Sequence, residues 1–389
     1  MPLALEAPTH ATWLYVGLPG AVAWAGVLLA PWRPWSTRER LDPAPGSPEA
    51  ELDDITVLIP ARNEAPLLDR TLRALAAQGR PLRAVVIDDQ STDDTAGVAA
   101  TAGGSVVEVI RGAPLPSGWT GKLWALEQGR RHVATPLTLL LDADIELAPG
   151  IVAALLARKR RAEAQLVSVM ATLRTDTLWE RLLMPAFVFF FKLLYPFRVS
   201  NSRSRLVAAA AGGCILIETR VLADLGGFAA LKDVLIDDCT LARLVKARGH
   251  RTWIGLSHGV RSLRRYGDLA SIWDVVARSA FTQLRYSPLW LVGCTALLVA
   301  AFWSPLAALA WPDPRARWLG LTGLTTLLVS YAPTLRFYGR SPAWGLTLPL
   351  VGSLYLAMTW SSALRYWRGV RARWRGRTYP TGARRGGQT

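Results

Sequence analysis

The sequence predicts an α/β domain with a mostly parallel sheet, set between transmembrane helices at the two ends of the chain. Short β-branched runs alternate with amphipathic helical patterns through the middle of the chain, the rhythm of strands and helices in such sheets. Long apolar runs lie near both ends, and 51% of the residues are hydrophobic. Acidic residues gather directly after the predicted strands although the formal net charge is +16.

The first apolar run, 11–30, has about the ~20 residues that cross a hydrocarbon core. No basic residue precedes it and no small-x-small cleavage site leads into an open chain, so we interpret 1–40 as an uncleaved anchor rather than a signal peptide. Arg33, Arg38 and Arg40 follow the run, which predicts a cytoplasmic location for the middle of the chain. A linker rich in proline and acidic residues is predicted at 41–54.

Three further apolar runs, 288–311, 318–335 and 342–364, predict C-terminal transmembrane helices within 287–364. The basic tail, 365–389, contains eight arginines and no acid, which favours contact with anionic headgroups on the cytoplasmic side over binding to nucleic acid. One anchor and three further spans would place this tail outside. The number of true spans and the side of the tail therefore stay open.

Carboxylates follow three of the predicted strands. The strands are predicted at 55–60, 84–87, 106–110 and 137–141, with another at 206–217. Glu64 follows the first of them, Asp88 and Asp89 the second, and Asp142 and Asp144 the fourth. Singly, such residues often cap helices or stay solvated. Together, at the sheet edge where parallel α/β sheets bind ligands, they indicate a site for Mg²⁺ or Mn²⁺ and a nucleotide diphosphate.

Four motifs carry a resemblance to a known family. They are Val57-Leu-Ile-Pro-Ala-Arg-Asn-Glu64, Val86-Ile-Asp-Asp-Gln-Ser-Thr-Asp-Asp-Thr95, Gly121-Lys122 and Asp142-Ala-Asp144. As a set they resemble the family 2 glycosyltransferases of GT-A fold, whose Rossmann-like domain would occupy 55–286. The layout is most similar to the hopanoid-associated glycosyltransferases, and it also resembles the ceramide glucosyltransferases.

The resemblance implies how a nucleotide-sugar donor, most simply a UDP-sugar, would be held. Asp144 would bind the divalent cation, and Asp142 would approach the cation or the ribose. Nucleotide contacts are implied for Pro60, Arg62, Glu64, Asp88 and Asp89, with Asp89 the first choice for the base. Lys122 offers a positive charge at the diphosphate; an ordinary exposed lysine at a helix start is the alternative.

The resemblance also implies the catalytic residues. Asp237 and Asp238 open a predicted helix, and Asp238 would be the general base of an inverting transfer, with Asp237 beside it. Gln283, Arg285 and Tyr286 resemble the Gln-x-x-Arg-Trp box of membrane-bound members, although Tyr286 replaces the tryptophan. Arg285 would grip the diphosphate, unless it only flanks a span.

The function implied by this resemblance is transfer of one sugar to a lipid acceptor, of hopanoid type, by a multi-pass protein of the bacterial inner membrane with a cytoplasmic catalytic domain. The apolar segment 179–199 would lie in the interface and admit the lipid; a core helix is the alternative. A glycolipid synthase of the ceramide glucosyltransferase type, a processive polysaccharide synthase and a non-enzymatic scaffold are the competing functions. The sequence indicates neither the sugar, the acceptor nor the oligomeric state.

Overall fold

The computed structural model describes residues 12–43, 51–374 and 377–380. Residues 44–50 of the predicted linker and Arg375, Arg384 and Arg385 of the predicted tail lie outside that part of the chain. The strands are β1 (Ile55–Ala61), β2 (Arg83–Asp88), β3 (Val107–Arg111), β4 (Leu137–Leu141), β5 (Ile145–Leu147), β6 (Leu166–Thr172), β7 (Cys214–Glu218), β8 (Thr252–Ser262), β9 (Val370–Trp374) and β10 (Arg377–Pro380). The helices are α1 (Thr12–Leu29), α2 (Ala65–Ala76), α3 (Thr95–Gly103), α4 (Gly121–Arg130), α5 (Ile151–Ala162), α6 (Leu178–Leu194), α7 (Phe197–Ser200), α8 (Thr219–Asp224), α9 (Asp237–Ala247), α10 (Leu269–Ala277), α11 (Ala280–Gln283), α12 (Pro288–Leu309), α13 (Pro314–Phe337) and α14 (Leu348–Trp367).

The central sheet has eight strands in the order β3-β2-β1-β4-β7-β6-β8-β5. Its first four strands run parallel to one another, as do β6 and β8. The pairs β4–β7, β6–β7 and β5–β8 are antiparallel. The predicted α/β class is confirmed, and the sheet is mostly parallel with two exceptions, because only β7 and β5 run against the other six strands.

Strand β1 shows how the sequence builds the core. Val57, Leu58 and Ile59 are fully buried, although successive side chains of a strand point to opposite faces. Val57 and Ile59 belong to one apolar cluster and Leu58 to the other. Helices cover both faces of the sheet, so a continuous apolar run replaces the alternation of a half-exposed strand.

The strand predicted at 206–217 is wrong over most of its length, since only Cys214–Glu218 forms β7. Ala208, Ala209 and Ala210 before it are buried. Backbone N–H groups of this segment donate to side chains, not to a neighbouring strand. Ser200 Oγ accepts from the N–H of Ala209 at 3.0 Å, and Ser168 Oγ accepts from Ala211 at 2.8 Å. The register then places Cys214 opposite Leu141, so the irregular segment ends beside the loop after β4.

Helices from the two ends of the chain pack together. Trp24 of α1 donates its indole N–H to the carbonyl of Ala301 in α12 at 2.7 Å, and the Gly20 N–H donates to Ser304 Oγ at 2.8 Å. A Cβ at Gly20 would lie 2.5 Å from the ring of Pro305, so this approach requires a glycine. The N-terminal helix is therefore built into the same bundle as the C-terminal helices.

Two helices of the described chain are long and apolar enough to cross a membrane, Thr12–Leu29 and Pro288–Leu309. They correspond to the first and second of the four predicted runs. Length and composition give only weak support for membrane association. Four spans, a multi-pass topology and a cytoplasmic catalytic domain stay predictions.

The predicted interfacial segment forms α6 and α7, and α6 lies between the catalytic domain and the helical bundle. Phe189 of α6 stacks on Trp24 of α1, and the hydroxyl of Tyr355 in α14 donates to the Leu183 carbonyl at 2.9 Å. Its position relative to a membrane stays a prediction. The start of the predicted linker is fastened to β8, because the N–H of Leu41 donates to the Leu256 carbonyl at 2.9 Å.

Candidate active site

The carboxyl ends of β2, β1 and β4 meet at one edge of the sheet. These three strands are parallel neighbours, with Ala61 of β1 opposite Asp88 of β2. Adjacent strands lie about 4.8 Å apart, so the loops after them are close together. This edge therefore holds Glu64, Asp88, Asp89, Asp142 and Asp144, as the strand pattern predicts.

One ammonium group lies among three carboxylates at this edge. Lys122 Nζ is 2.7 Å from Asp142 Oδ1 and 3.8 Å from Asp237 Oδ2. Burial alone would lower the pKa of Lys122, but the charges of Asp142, Asp237 and Asp238 outweigh it and raise that pKa. Lys122 is thus a fixed cation of the site, not the ordinary exposed lysine of the alternative interpretation.

Asp238 is held by two backbone groups. Its Oδ2 accepts from the N–H of Gly212 at 2.9 Å, and its Oδ1 accepts from the N–H of Cys239 at 2.7 Å. Burial and the neighbouring charge of Asp237 raise the pKa of Asp238 to about 6, against the opposing effect of these hydrogen bonds. A carboxylate with a pKa close to neutral is well matched to accepting a proton from a hydroxyl group.

These groups line one pocket. Pro60, Lys122, Asp142, Asp237 and Asp238 share it with Gly212, and its inner wall is apolar, formed by leucines of α4, β4 and α9. A Cβ at Gly212 would lie 3.1 Å from Lys122 Nζ and 3.4 Å from Asp238 Oδ2, so the lack of a side chain lets the backbone approach both groups.

Asp144 lies beside this pocket and is paired with Arg264, which the sequence analysis did not identify. Arg264 Nε donates to Asp144 Oδ2 at 2.6 Å, and its Nη2 donates to Glu64 Oε1 at 2.7 Å. One guanidinium therefore bridges the carboxylates that follow β1 and β4. Arg264 follows the end of the long strand β8 by two residues, and this position near a strand end is the sequence signal that could have identified it.

Asp89 is almost completely buried and is paired with Arg377. Arg377 Nη1 lies 2.5 Å from Asp89 Oδ2, and Nη2 lies 3.1 Å from Oδ1. Arg62 donates to the carbonyl oxygens of Asp89 and Gln90 from the other side, at 2.5 and 2.8 Å. Arg377 belongs to the tail predicted to contact lipid headgroups, whereas the structure places it against Asp89, the predicted nucleotide contact.

Asp88 orders the same loop, since its Oδ1 accepts from the N–H of Ser91 at 3.1 Å.

Gln283 lies on the Asp238 side of the site, where its Oε1 accepts from the hydroxyl of Tyr195 at 2.7 Å. Burial raises the pKa of Tyr195 to about 12. The Arg285 side chain is exposed, and within the described residues no contact joins it to the acidic groups.

A model of the family described as "Glycosyltransferase like family 2" matches residues 53–280. The chain belongs to this glycosyltransferase family. The matched range begins just before β1 and ends at α11, so it contains every carboxylate of the candidate site. The enzyme class and the family expected from the motifs are thereby confirmed.

One protein of known sequence and one of known structure are similar to this family 2 glycosyltransferase. The 4,4'-diaponeurosporenoate glycosyltransferase of Staphylococcus aureus (strain bovine RF122 / ET3-1) is 38% identical over 91 residues, 23% of this chain and 24% of that protein. The similarity to the curated relatives thus spans about a quarter of their length. The mannosyltransferase PcManGT from Pyrobaculum calidifontis, solved in complex with GDP-Man and Mn2+, has a TM-score of 0.52 and 19% identity, covering 90% of this chain and 99% of that one. This likeness shows a shared fold, which is that of a GT-A-like domain.

The carboxylates available as metal ligands in this glycosyltransferase suit a divalent cation that arrives bound to a diphosphate. Within residues 12–43, 51–374 and 377–380, no three His, Cys, Asp or Glu side chains are grouped to enclose a metal ion. Mg²⁺ is commonly bound through one or two carboxylates plus substrate phosphates, without an all-protein cage. Burial raises the pKa of Asp142, and the adjacent charge of Asp144 raises it further against the effect of Lys122. Asp142 and Asp144 are carboxylates of the kind that Mg²⁺ binds, and their protein partners are the side chains of Lys122 and Arg264.

Proposed function

We propose that this family 2 glycosyltransferase is membrane-bound and transfers one sugar from a nucleotide-sugar donor to a lipid acceptor with inversion of configuration. The observation that supports this most strongly is the placement of Asp238, a carboxylate with a pKa of about 6, in the same pocket as Lys122 and Asp142. A base and a cationic diphosphate site in one pocket are what glycosyl transfer requires.

The donor diphosphate would lie between Lys122 and the loop after β4. Asp144 and Asp142 would hold the divalent cation, Mg²⁺ or Mn²⁺, which when bound neutralises the charge that builds on the leaving diphosphate. Lys122 supplies a second, permanent positive charge, fixed 2.7 Å from Asp142. The similar structure solved with GDP-Man and Mn2+ supports this class of ligands.

The nucleoside would lie against the loops after β1 and β2. Asp89 and Asp88 offer acceptors for base or ribose, while Pro60 and Arg62 shape the adjacent wall. Glu64 contributes indirectly, because its carboxylate holds Arg264 beside Asp144. A UDP-sugar is our expected donor.

The acceptor hydroxyl would approach Asp238 from the side of Tyr195 and Gln283. As the acceptor oxygen forms its bond to the anomeric carbon, its proton passes to Asp238 and the bond to the diphosphate oxygen breaks. This single displacement inverts the anomeric configuration and needs no covalent sugar-enzyme intermediate.

A lipid acceptor is supported by the apolar helices that adjoin the site. α6 ends just before Tyr195, which lies near Asp238, and the helix packs against the helical bundle on one side and against the catalytic domain on the other. A relative is named for 4,4'-diaponeurosporenoate; for this chain we propose a hopanoid-type acceptor, on the layout described above. A glycolipid synthase of the ceramide glucosyltransferase type is the alternative.

The experiment is product analysis by mass spectrometry. Full-length protein in detergent is incubated with UDP- and GDP-sugars, Mg²⁺ or Mn²⁺, and a membrane lipid extract containing hopanoids. We expect one hexose added to a lipid, and no product when EDTA is present. Addition of repeated sugars would indicate a polysaccharide synthase, and the absence of any product from every donor would contradict the proposal.

A further inference from the structure

The loop after β2 is held in an unusual conformation by two arginines. Gln90 has a φ of 57°, in the left-handed region that residues with a side chain seldom adopt. Arg62 fixes this loop through the carbonyl oxygens of Asp89 and Gln90. Arg377 fixes it through the side chains, since its Nη2 donates to Gln90 Oε1 at 3.1 Å as well as to Asp89.

Arg377 reaches this loop from the far end of the chain. It begins β10, which pairs with β9 in a separate two-stranded sheet, and β9 follows α14 after two residues. A two-stranded hairpin is marginal in water by itself, so contacts outside the hairpin must fix its position. The paired hydrogen bonds from Arg377 to Asp89 are such a contact, across 288 residues of sequence.

The contact is well shielded from water. The side chain of Arg377 is 15% exposed and that of Asp89 is 1% exposed. Burial raises the pKa of Asp89, and the hydrogen bonds and charge of Arg377 oppose that rise. The paired geometry also sets the plane of the carboxylate, which a single ammonium group could not do. Each carboxylate oxygen keeps a second lone pair for another donor.

We propose that Arg377 is a donor-positioning residue: with Arg62 it fixes Asp89 and Gln90 in the arrangement that the nucleoside of the donor meets. The C-terminal hairpin is then part of the donor site, and α14 is connected to that site through it. This inference rests on the proposed function, because it assigns the loop after β2 to the nucleotide.

The test is titration calorimetry of the full-length protein in detergent with UDP and with GDP, in the presence of Mn²⁺. Arg377→Ala should weaken binding about tenfold or more, as expected for losing hydrogen bonds to a charged group. Arg377→Lys should lie between this variant and the wild type, because the charge remains but the paired geometry is lost. Arg365→Ala is the control, because it removes an exposed ion pair between Arg365 of α14 and Asp274 of α10, 2.7 Å apart; it should bind within about twofold of wild type.

Two further measurements separate a positioning role of Arg377 from a general effect on the stability of the protein. The double variant Asp89→Asn with Arg377→Ala should bind the nucleotide no more weakly than whichever single variant has the lower affinity. Both substitutions remove the same contact, so their effects should not add. Turnover of Arg377→Ala at saturating donor should stay within about threefold of wild type, since Asp238 and Lys122 are untouched. If Arg377→Ala does not fold, Arg377→Lys decides the question by the same comparison.

The outcomes distinguish a failure of the proposed function from a failure of the inference about Arg377. If wild type binds neither UDP nor GDP, the proposed function fails and this inference fails with it. If wild type binds and Arg377→Ala matches it, the contact only packs the hairpin and this inference alone is wrong. Tighter binding by Arg377→Ala would also overturn it, because the hairpin would then obstruct the site.

Discussion

The Nζ atom of Lys122 lies 2.7 Å from Oδ1 of Asp142, joining the first turn of α4 to the carboxyl end of β4. Asp237 and Asp238 at the start of α9 complete the surroundings of this ammonium. Three carboxylates and one lysine leave an excess of negative charge in a half-buried pocket. Burial and the charge of Asp237 raise the pKa of Asp238, and the excess gives the site a capacity for a further cation.

Replacing Lys122 with alanine should reduce stability and donor binding together. The variant leaves Asp142 without its ion pair, and we expect a loss of roughly 1–3 kcal/mol in the free energy of unfolding. The measurements are denaturant unfolding and nucleotide titration. Lys159→Ala is the control, because Lys159 pairs with Glu218 at 2.7 Å in a comparable environment; it should lose stability but retain donor affinity. Normal donor affinity in Lys122→Ala would contradict the diphosphate role.

Asp238→Asn should retain donor affinity and lose turnover. Asparagine keeps the shape and can still accept from the N–H of Gly212, but it cannot take up a proton at neutral pH. We expect turnover to fall by about 10²–10⁴-fold, the usual contribution of a general base. Steady-state kinetics give turnover, and nucleotide titration gives affinity. A weaker affinity with a normal rate would reassign Asp238 to donor binding.

The rate should depend on pH through Asp238. The base acts as the ionised carboxylate, so kcat/KM should fall about tenfold per pH unit below the pKa of about 6. Asp237→Asn removes the adjacent negative charge that contributes to this raised pKa. The acidic limb of the plot of kcat/KM against pH should therefore move to lower pH. Asp176→Asn, which alters an exposed ion pair with Arg174, should leave the limb in place. A limb that does not move in Asp237→Asn would contradict this assignment of the base.

The strand ends could be predicted from sequence because they depend on local patterns. Val57, Leu58 and Ile59 form an apolar run closed by a proline, and strand β4, predicted at 137–141, has those bounds. The acidic residues after these strands then share an edge because parallel neighbours end together. Lys122 was placed near the site by the Gly121-Lys122 motif, and it does lie in the first turn of α4 beside Asp142.

The guanidinium groups could not be predicted in the same way. Arg264 meets Asp144 across 120 residues, and Arg377 meets Asp89 across 288. No periodicity or turn signal connects such positions, because the contacts arise only when the sheet and the terminal hairpin are in place. The strand predicted at 206–217 failed for a related reason: the side chains of Ser200 in α7 and Ser168 in β6 accept from the backbone N–H groups of Ala209 and Ala211, a pairing that no local pattern predicts.

Nucleotide binding with and without a divalent cation tests most directly whether the acidic loops form one donor site. Titrating the full-length protein with UDP and GDP should show binding with Mn²⁺ that EDTA abolishes. Asp144→Ala should lose this dependence on the cation, whereas Asp176→Ala, which also releases an arginine from an aspartate, should keep it. Unchanged nucleotide binding in EDTA, or in a well-folded Asp144→Ala variant, would contradict a cation-dependent site at these loops.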